Sequence, residues 1–195
     1  MQKVRFRGGT LLGPLPPVMV SCGDGTASNI LTVAWTGILN TIPPKTYISV
    51  RPSRYSYGIL KEKGEFVLNL TPAALVRTAD YCGTFTGAKV DKFAKCHLTR
   101  QFAKEVAAPM IAECPVSLCC RVTDTVPLGS HEMFIADIVA VYADESLLDA
   151  AGKLHLEKAG LCAYAHGEYF ALGKKIGTFG FSAAKKKPQH HPRQG

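Results

Sequence analysis

The chain has 195 residues, 47% of them hydrophobic and 19% charged, a composition that can bury one substantial core and excludes a wholly disordered protein. It lacks an apolar run long enough for a secretory leader or a membrane span, so a soluble, cytoplasmic protein is expected. The net charge of +8 invites a nucleic-acid reading, but six positive charges follow Glu168 with no acid among them, leaving an excess of only two on the body of the chain; neither a nucleic-acid nor a membrane partner is expected.

In chain order, residues 1–14 read as an N-terminal extension, residues 15–184 as one domain and residues 185–195 as a solvated basic tail. Short runs at residues 17–22, 30–36, 46–50 and 65–70 are rich in aliphatic or aromatic side chains and bounded by Gly, Pro or Asn, which predicts four strands. A short helix is expected over residues 55–63, and a second over residues 73–81, where Thr71-Pro72 supplies a cap and a first-turn proline. Longer strands at residues 116–126 and 133–142 flank the turn Pro127-Leu-Gly-Ser and predict an antiparallel hairpin. Strands dominate and helices connect them, so the expected class is mainly β, a barrel with helical crossovers.

Seven cysteines lack C-x-x-C spacing and are expected as reduced thiols; Cys119 and Cys120 are neighbours on one strand and should face opposite ways. His97, His155 and His166 show no ligand spacing, so no metal is expected.

The most informative stretch runs from Asn29 to Ser56. Thr32 and Ala34 keep one strand small enough for a flat ring to approach its backbone, although small residues in a strand also serve packing. Arg51, Ser53, Arg54 and Ser56 gather where a strand ends and a helix begins. Side chains, free backbone N–H groups and the helix dipole can converge there on one phosphate, although the same residues also make a solvated turn.

The segment Asn29-Ile-Leu-Thr-Val-Ala-Trp, the pair Pro43-Pro44 and the run Ser49-Val-Arg-Pro-Ser-Arg-Tyr-Ser together resemble the flavin-reductase-like family, including the flavoredoxins. The resemblance continues through Cys82-Gly-Thr-Phe-Thr-Gly-Ala-Lys-Val-Asp-Lys-Phe, through Gly129-Ser-His and through the closing segment Tyr169 to Ser182. It implies a six-stranded Greek-key split barrel, a homodimer, and FMN near the subunit interface. It also implies roles. Thr32, Val33, Ala34 and Trp35 would line the isoalloxazine, and Asn29 would support its edge or the ribityl chain. Arg51, Ser53, Tyr55 and Ser56 would hold the phosphate, with Lys92 a further cation there. His131 would lie near the flavin's open face as the catalytic candidate. Two departures from the family pattern stand at Thr86, where Ser is common, and at Ala88, where Arg is common.

The function so implied is electron transfer from NADH or NADPH through FMN to an acceptor that the sequence does not identify. No G-x-G-x-x-G follows a strand, so a nicotinamide would bind transiently, without a Rossmann domain. Three alternatives are a flavoredoxin-type carrier with retained FMN, a nucleic-acid-binding barrel, and an enzyme resembling pyridoxamine-phosphate oxidase.

Overall fold

The computed structural model describes residues 1–183; the basic tail expected at residues 185–195 lies outside them. Its strands are β1 Val18–Cys22, β2 Asn29–Val33, β3 Thr36–Thr41, β4 Pro44–Val50, β5 Glu65–Leu70, β6 Arg100–Gln101, β7 Met110–Ile111, β8 Val116–Pro127, β9 Glu132–Ala143, β10 Cys162–Ala165 and β11 Glu168–Ala171. The helices are α1 Tyr55–Lys63, α2 Val76–Thr84 and the single turn α3 Lys92–Lys95.

Seven strands form one antiparallel sheet in the order β2-β1-β5-β8-β9-β4-β3, and the remaining four make two small hairpins. The outermost strands of that order, β2 and β3, are consecutive in the chain and separated only by Ala34 and Trp35. The bend at those two residues therefore stitches the sheet's two edges together and curls it into a barrel. Ser49 N–H donates to the Trp35 carbonyl at 2.9 Å, which carries the β3–β4 pairing up to the bend. No ladder joins β2 to β4, so the barrel is split along that seam.

The alternation of β1 shows how the layers arise. Val18, Val20 and Cys22 point into the barrel with Val33, Ile48, Phe66, Phe134 and Leu60 of α1, while Met19 packs outward with Ala79, Cys82 and Phe93. Both faces are covered, so every residue of β1 is buried. Cys119 and Cys120 likewise fall into different clusters, one outside and one inside the barrel.

The expected six strands become seven because the run at residues 30–36 is not one strand. The chain bends after Val33, and β3 continues as an edge strand that is buried at Thr36 and exposed from Ile38 onward. Such a strand has no inward-facing alternation to betray it. Pro44 opens β4, a position that needs no ladder donor.

Helix α1 spans the expected residues and ends at Gly64, whose φ of 64° lies in the left-handed region and whose N–H caps Leu60. The second helix differs from its expectation. Residues 73–75 form a 3-10 turn, and the α-helix runs from Val76 to Thr84, three residues past the expected end. Thr71 makes no cap, its hydroxyl having no hydrogen-bond partner, while its carbonyl accepts from Cys162 N–H. The extension carries Gly83 and Thr84 up to the barrel seam, beside Asp80.

No helix among the described residues is long and apolar enough to cross a membrane.

Candidate functional site

A cavity of about 400 Å³ opens where β2 and β4 diverge. Thr32, Val33, Ala34 and Trp35 form one wall, and Ser49, Val50 and Arg51 form the other. Behind β2 lies α2, brought close because Thr32 Oγ1 donates to the Ala79 carbonyl at 2.5 Å and because Gly83 has no side chain. A Cβ at Gly83 would stand 3.3 Å from Thr32 Cβ.

One end of this chamber is closed by Trp35 and His131, whose rings lie parallel within 3° at a centroid separation of 6.5 Å. His131 sits in the β8–β9 turn, which is drawn tight by Leu128 N–H donating to the His131 carbonyl and by Gly129 at a φ of 88°. Burial, and then the Arg51 cation, hold the imidazole below the usual histidine range, so the ring is neutral near neutral pH.

The other end carries Tyr164 and Tyr169, packed edge-on at 5.3 Å in the β10–β11 hairpin. Leu15 pins that hairpin through reciprocal backbone bonds with Tyr164, both 2.8 Å. The Tyr169 hydroxyl donates to Asp80, the one acid lining the chamber among the described residues, and burial followed by that carboxylate pushes its phenol up to about 12.

A second chamber of about 210 Å³ adjoins the first and shares Leu31, Arg51 and Arg54 with it. Among the described residues its lining contains three cations, Arg51, Arg54 and Lys92, and no carboxylate. The first turn of α1 contributes Tyr55 and Ser56, and no side chain caps that helix end. Ser56 Oγ accepts from Asn29 Nδ2 at 2.8 Å, and both residues are buried. Gly87 presses against the same asparagine. A Cβ there would fall 2.2 Å from Asn29 Oδ1, so only glycine leaves the amide in place.

Lys92 is held at the start of α3, whose N-cap Asp91 accepts from Phe93 and Ala94 N–H groups. Its side chain is 2% exposed, and its ammonium donates to the carbonyls of Ile30 and Cys82 at 2.7 and 2.6 Å. Burial lowers its affinity for the proton, and Arg54 lowers it further. A buried ammonium satisfied only by neutral carbonyls is an incomplete arrangement, because its charge lacks a counter-charge.

The residues singled out in the sequence therefore divide between two chambers. Thr32, Val33, Ala34, Trp35 and His131 line the larger; Asn29, Ser53, Tyr55, Ser56 and Lys92 line the smaller; Arg51 lines both. Asn29 is thus placed with Ser56 and away from the wall of small residues. Sequence reasoning left Asp80, Gly83, Tyr164 and Gly87 without a role; Arg54, which the run of residues grouped with the anion donors and the family resemblance left out, lines both chambers. Gly83 and Gly87 did carry a signal, since both fall in the glycine-bearing segment after Cys82. Thr86 lines the smaller chamber, whereas Ala88 and Lys89 are exposed outside it.

A phosphate fits the smaller chamber by charge and by donors, and a flat heterocycle fits the larger by its small-residue wall and parallel ring pair. Their shared boundary suits one ligand that carries both, as FMN does.

The chain resembles known proteins over most of its length. The profile of the Flavin reductase like domain matches residues 13–173. The flavoredoxin of Desulfovibrio vulgaris superposes with a TM-score of 0.86 at 33% identity, over 94% of this chain and all of that one. A flavoredoxin from Methanosarcina acetivorans gives 0.85 at 26% identity with the same coverage. An NADPH-flavin oxidoreductase of Streptomyces viridifaciens is 26% identical over 142 residues, which is 71% of this chain and 72% of that protein.

Proposed function

Because the chain belongs to the flavin reductase-like domain family, we propose that it is an FMN-binding oxidoreductase that moves electrons from NADH or NADPH to an acceptor. The observation that carries this reading is the smaller chamber, where Lys92 and two arginines face a space lined by no acid among the described residues. Bound FMN supplies a carrier that takes up a hydride's two electrons and yields them singly or as a pair. The protein's part is to bind, orient and shield.

Arg51, Arg54, Lys92, Ser53, Ser56 and the uncapped N–H groups of α1 hold the phosphate, with Asn29 fixing the Ser56 hydroxyl. Thr32 to Trp35 support the ring. His131 has Nδ1 engaged with Ser130 Oγ at 2.9 Å, which leaves Nε2 to hold or deliver a proton in the chamber. Tyr164 and Tyr169 shield the far end from water.

Anaerobic addition of NADH or NADPH to the FMN-loaded protein should bleach the visible flavin band within seconds to minutes. A band unchanged by both nucleotides would remove the nicotinamide donor from the account. A second reading, a carrier that retains FMN and exchanges electrons with a protein or metal complex, is supported by the full-length likeness to two flavoredoxins. Gel filtration separates the two readings, since a carrier keeps its yellow colour through the column.

The proposal includes a homodimer. The seam-side edge exposes Trp35, Ile38 and Ile42 at 40%, 67% and 90%, an apolar row that a second copy would cover. Light scattering on the eluting protein should give twice the protomer mass of about 21 kDa. A flavin-bearing species at the protomer mass would refute the dimer and leave the FMN assignment intact.

A further inference from the structure

The β8–β9 turn lines only the larger chamber and helix α1 only the smaller, and one side chain outside both chambers joins those two elements. Glu132 opens β9 directly after His131 and pairs with Val50, the residue before Arg51. Its carboxylate, 12% exposed, accepts from Tyr57 Oη and from Lys61 Nζ, the latter at 2.8 Å. Tyr57 and Lys61 both belong to α1, whose first turn lines the smaller chamber. Tyr57 is itself wedged edge-on against Phe134, two residues further along β9.

We propose that Glu132 is a positioning residue, clamping the β8–β9 turn to helix α1 so that His131 is held parallel to Trp35 by the same helix that holds the smaller chamber. The clamp follows from where its two ends are attached. The turn is exposed at residues 128–130 and closed onto the half-buried His131 by a single backbone bond, so by itself it fixes His131 only loosely. A carboxylate anchored by two donors on one helix face removes the freedom that the turn leaves. Those donors also hold the Glu132 carboxyl well down, at about 2, so the clamp stays ionised across the physiological range.

This inference rests on the proposed function only for what fills the chambers, and its test does not require flavin. Trp35 is the sole tryptophan, and an imidazolium stacked against an indole quenches its emission, so fluorescence of the full-length protein reports His131. The charged groups that share the chamber with His131 are Arg51, Arg54 and Asp80. Scanned downward from about pH 8 until His131 is fully protonated, wild-type emission should fall in one sigmoid centred below the ordinary histidine range, and His131→Asn should abolish it.

Glu132→Ala should reduce the amplitude of that sigmoid at least about twofold, and so should Tyr57→Phe/Lys61→Met, which cuts the clamp from the helix side. Combining all three changes should cost no more than Glu132→Ala alone, because one clamp is lost in each case. If Glu132→Ala fails to fold, the helix-side variant decides alone. In the FMN-loaded protein the same variants should lower kcat about tenfold and leave KM for the nicotinamide within about twofold.

A sigmoid of undiminished amplitude in the variants, strictly additive losses, or a flat wild-type profile would each overturn the proposal. Parallel titrations with FMN keep the two claims apart. A protein that binds no flavin yet shows the clamped titration loses the functional reading and keeps the positioning role.

Discussion

Replacing Arg51 and Arg54 together with alanine should lower FMN affinity by about two to four powers of ten and leave riboflavin affinity within about threefold. The two guanidiniums stand on the boundary shared by the chambers, and each charge-assisted contact with a phosphate contributes about 1.5 to 3 kcal/mol, or one to two powers of ten in affinity. Arg51→Ala alone accounts for one such step. The ligand pair separates causes, since riboflavin shares the ring and ribityl chain and lacks the phosphate. Flavin fluorescence titrations of both ligands on the wild type and the double variant supply the comparison. Equal losses for the two ligands would mean that the arginines shape the ring chamber, and the phosphate assignment would fail.

Lys92→Met carries the next largest effect, and it acts on two observables. The variant deletes a cation from the smaller chamber and strips the Ile30 and Cys82 carbonyls of their ammonium donor. FMN affinity should fall about a hundredfold, and the flavin-free fold should lose about 2 to 4 kcal/mol by urea unfolding, because buried carbonyls are left without a partner. Arginine should not rescue it, since a planar fork cannot replace a compact ammonium between two carbonyls.

The sign of the pH dependence follows from the depressed pKa of Lys92. Between that folded value and the higher unfolded one, the unfolded chain binds the extra proton, so flavin-free stability rises with pH across the window. FMN affinity moves the opposite way there. A neutral Lys92 no longer attracts phosphate, so FMN binding weakens as pH climbs through the folded pKa while riboflavin binding stays level. A stable Lys92→Met protein with wild-type FMN affinity would remove the ammonium from the account.

Much of this site was legible before any coordinates, and the reason is local. The residues from Asn29 to Ser56 follow one another along β2, the bend, β4 and the first turn of α1, so chain order alone delivers the ring wall and most of the phosphate cluster. What escaped was what the topology assembles. Asp80 lies in a helix that was expected, but only its packing behind β2 brings it to the chamber; Gly83 lies past that helix's expected end, and Tyr164 reaches the chamber in a distant hairpin that Leu15 pins. Gly87 has meaning only once Asn29 is seen against it. The count of six strands gave way to seven for a similar reason, because β3 is an edge whose exposed residues carry no inward-facing alternation. Resemblance to a family supplied Lys92 as a cation; its burial and its two carbonyl partners needed the fold.

The central claim is that one ligand spans both chambers with its phosphate in the cationic one, and the wild-type protein tests it without any mutation. Calorimetric titration with FMN and with riboflavin should give one site per chain for each, with FMN bound at least about a hundredfold more tightly, as the loss of a phosphate held by three cations requires. Equal affinities for the two flavins, or no binding of either, would contradict it.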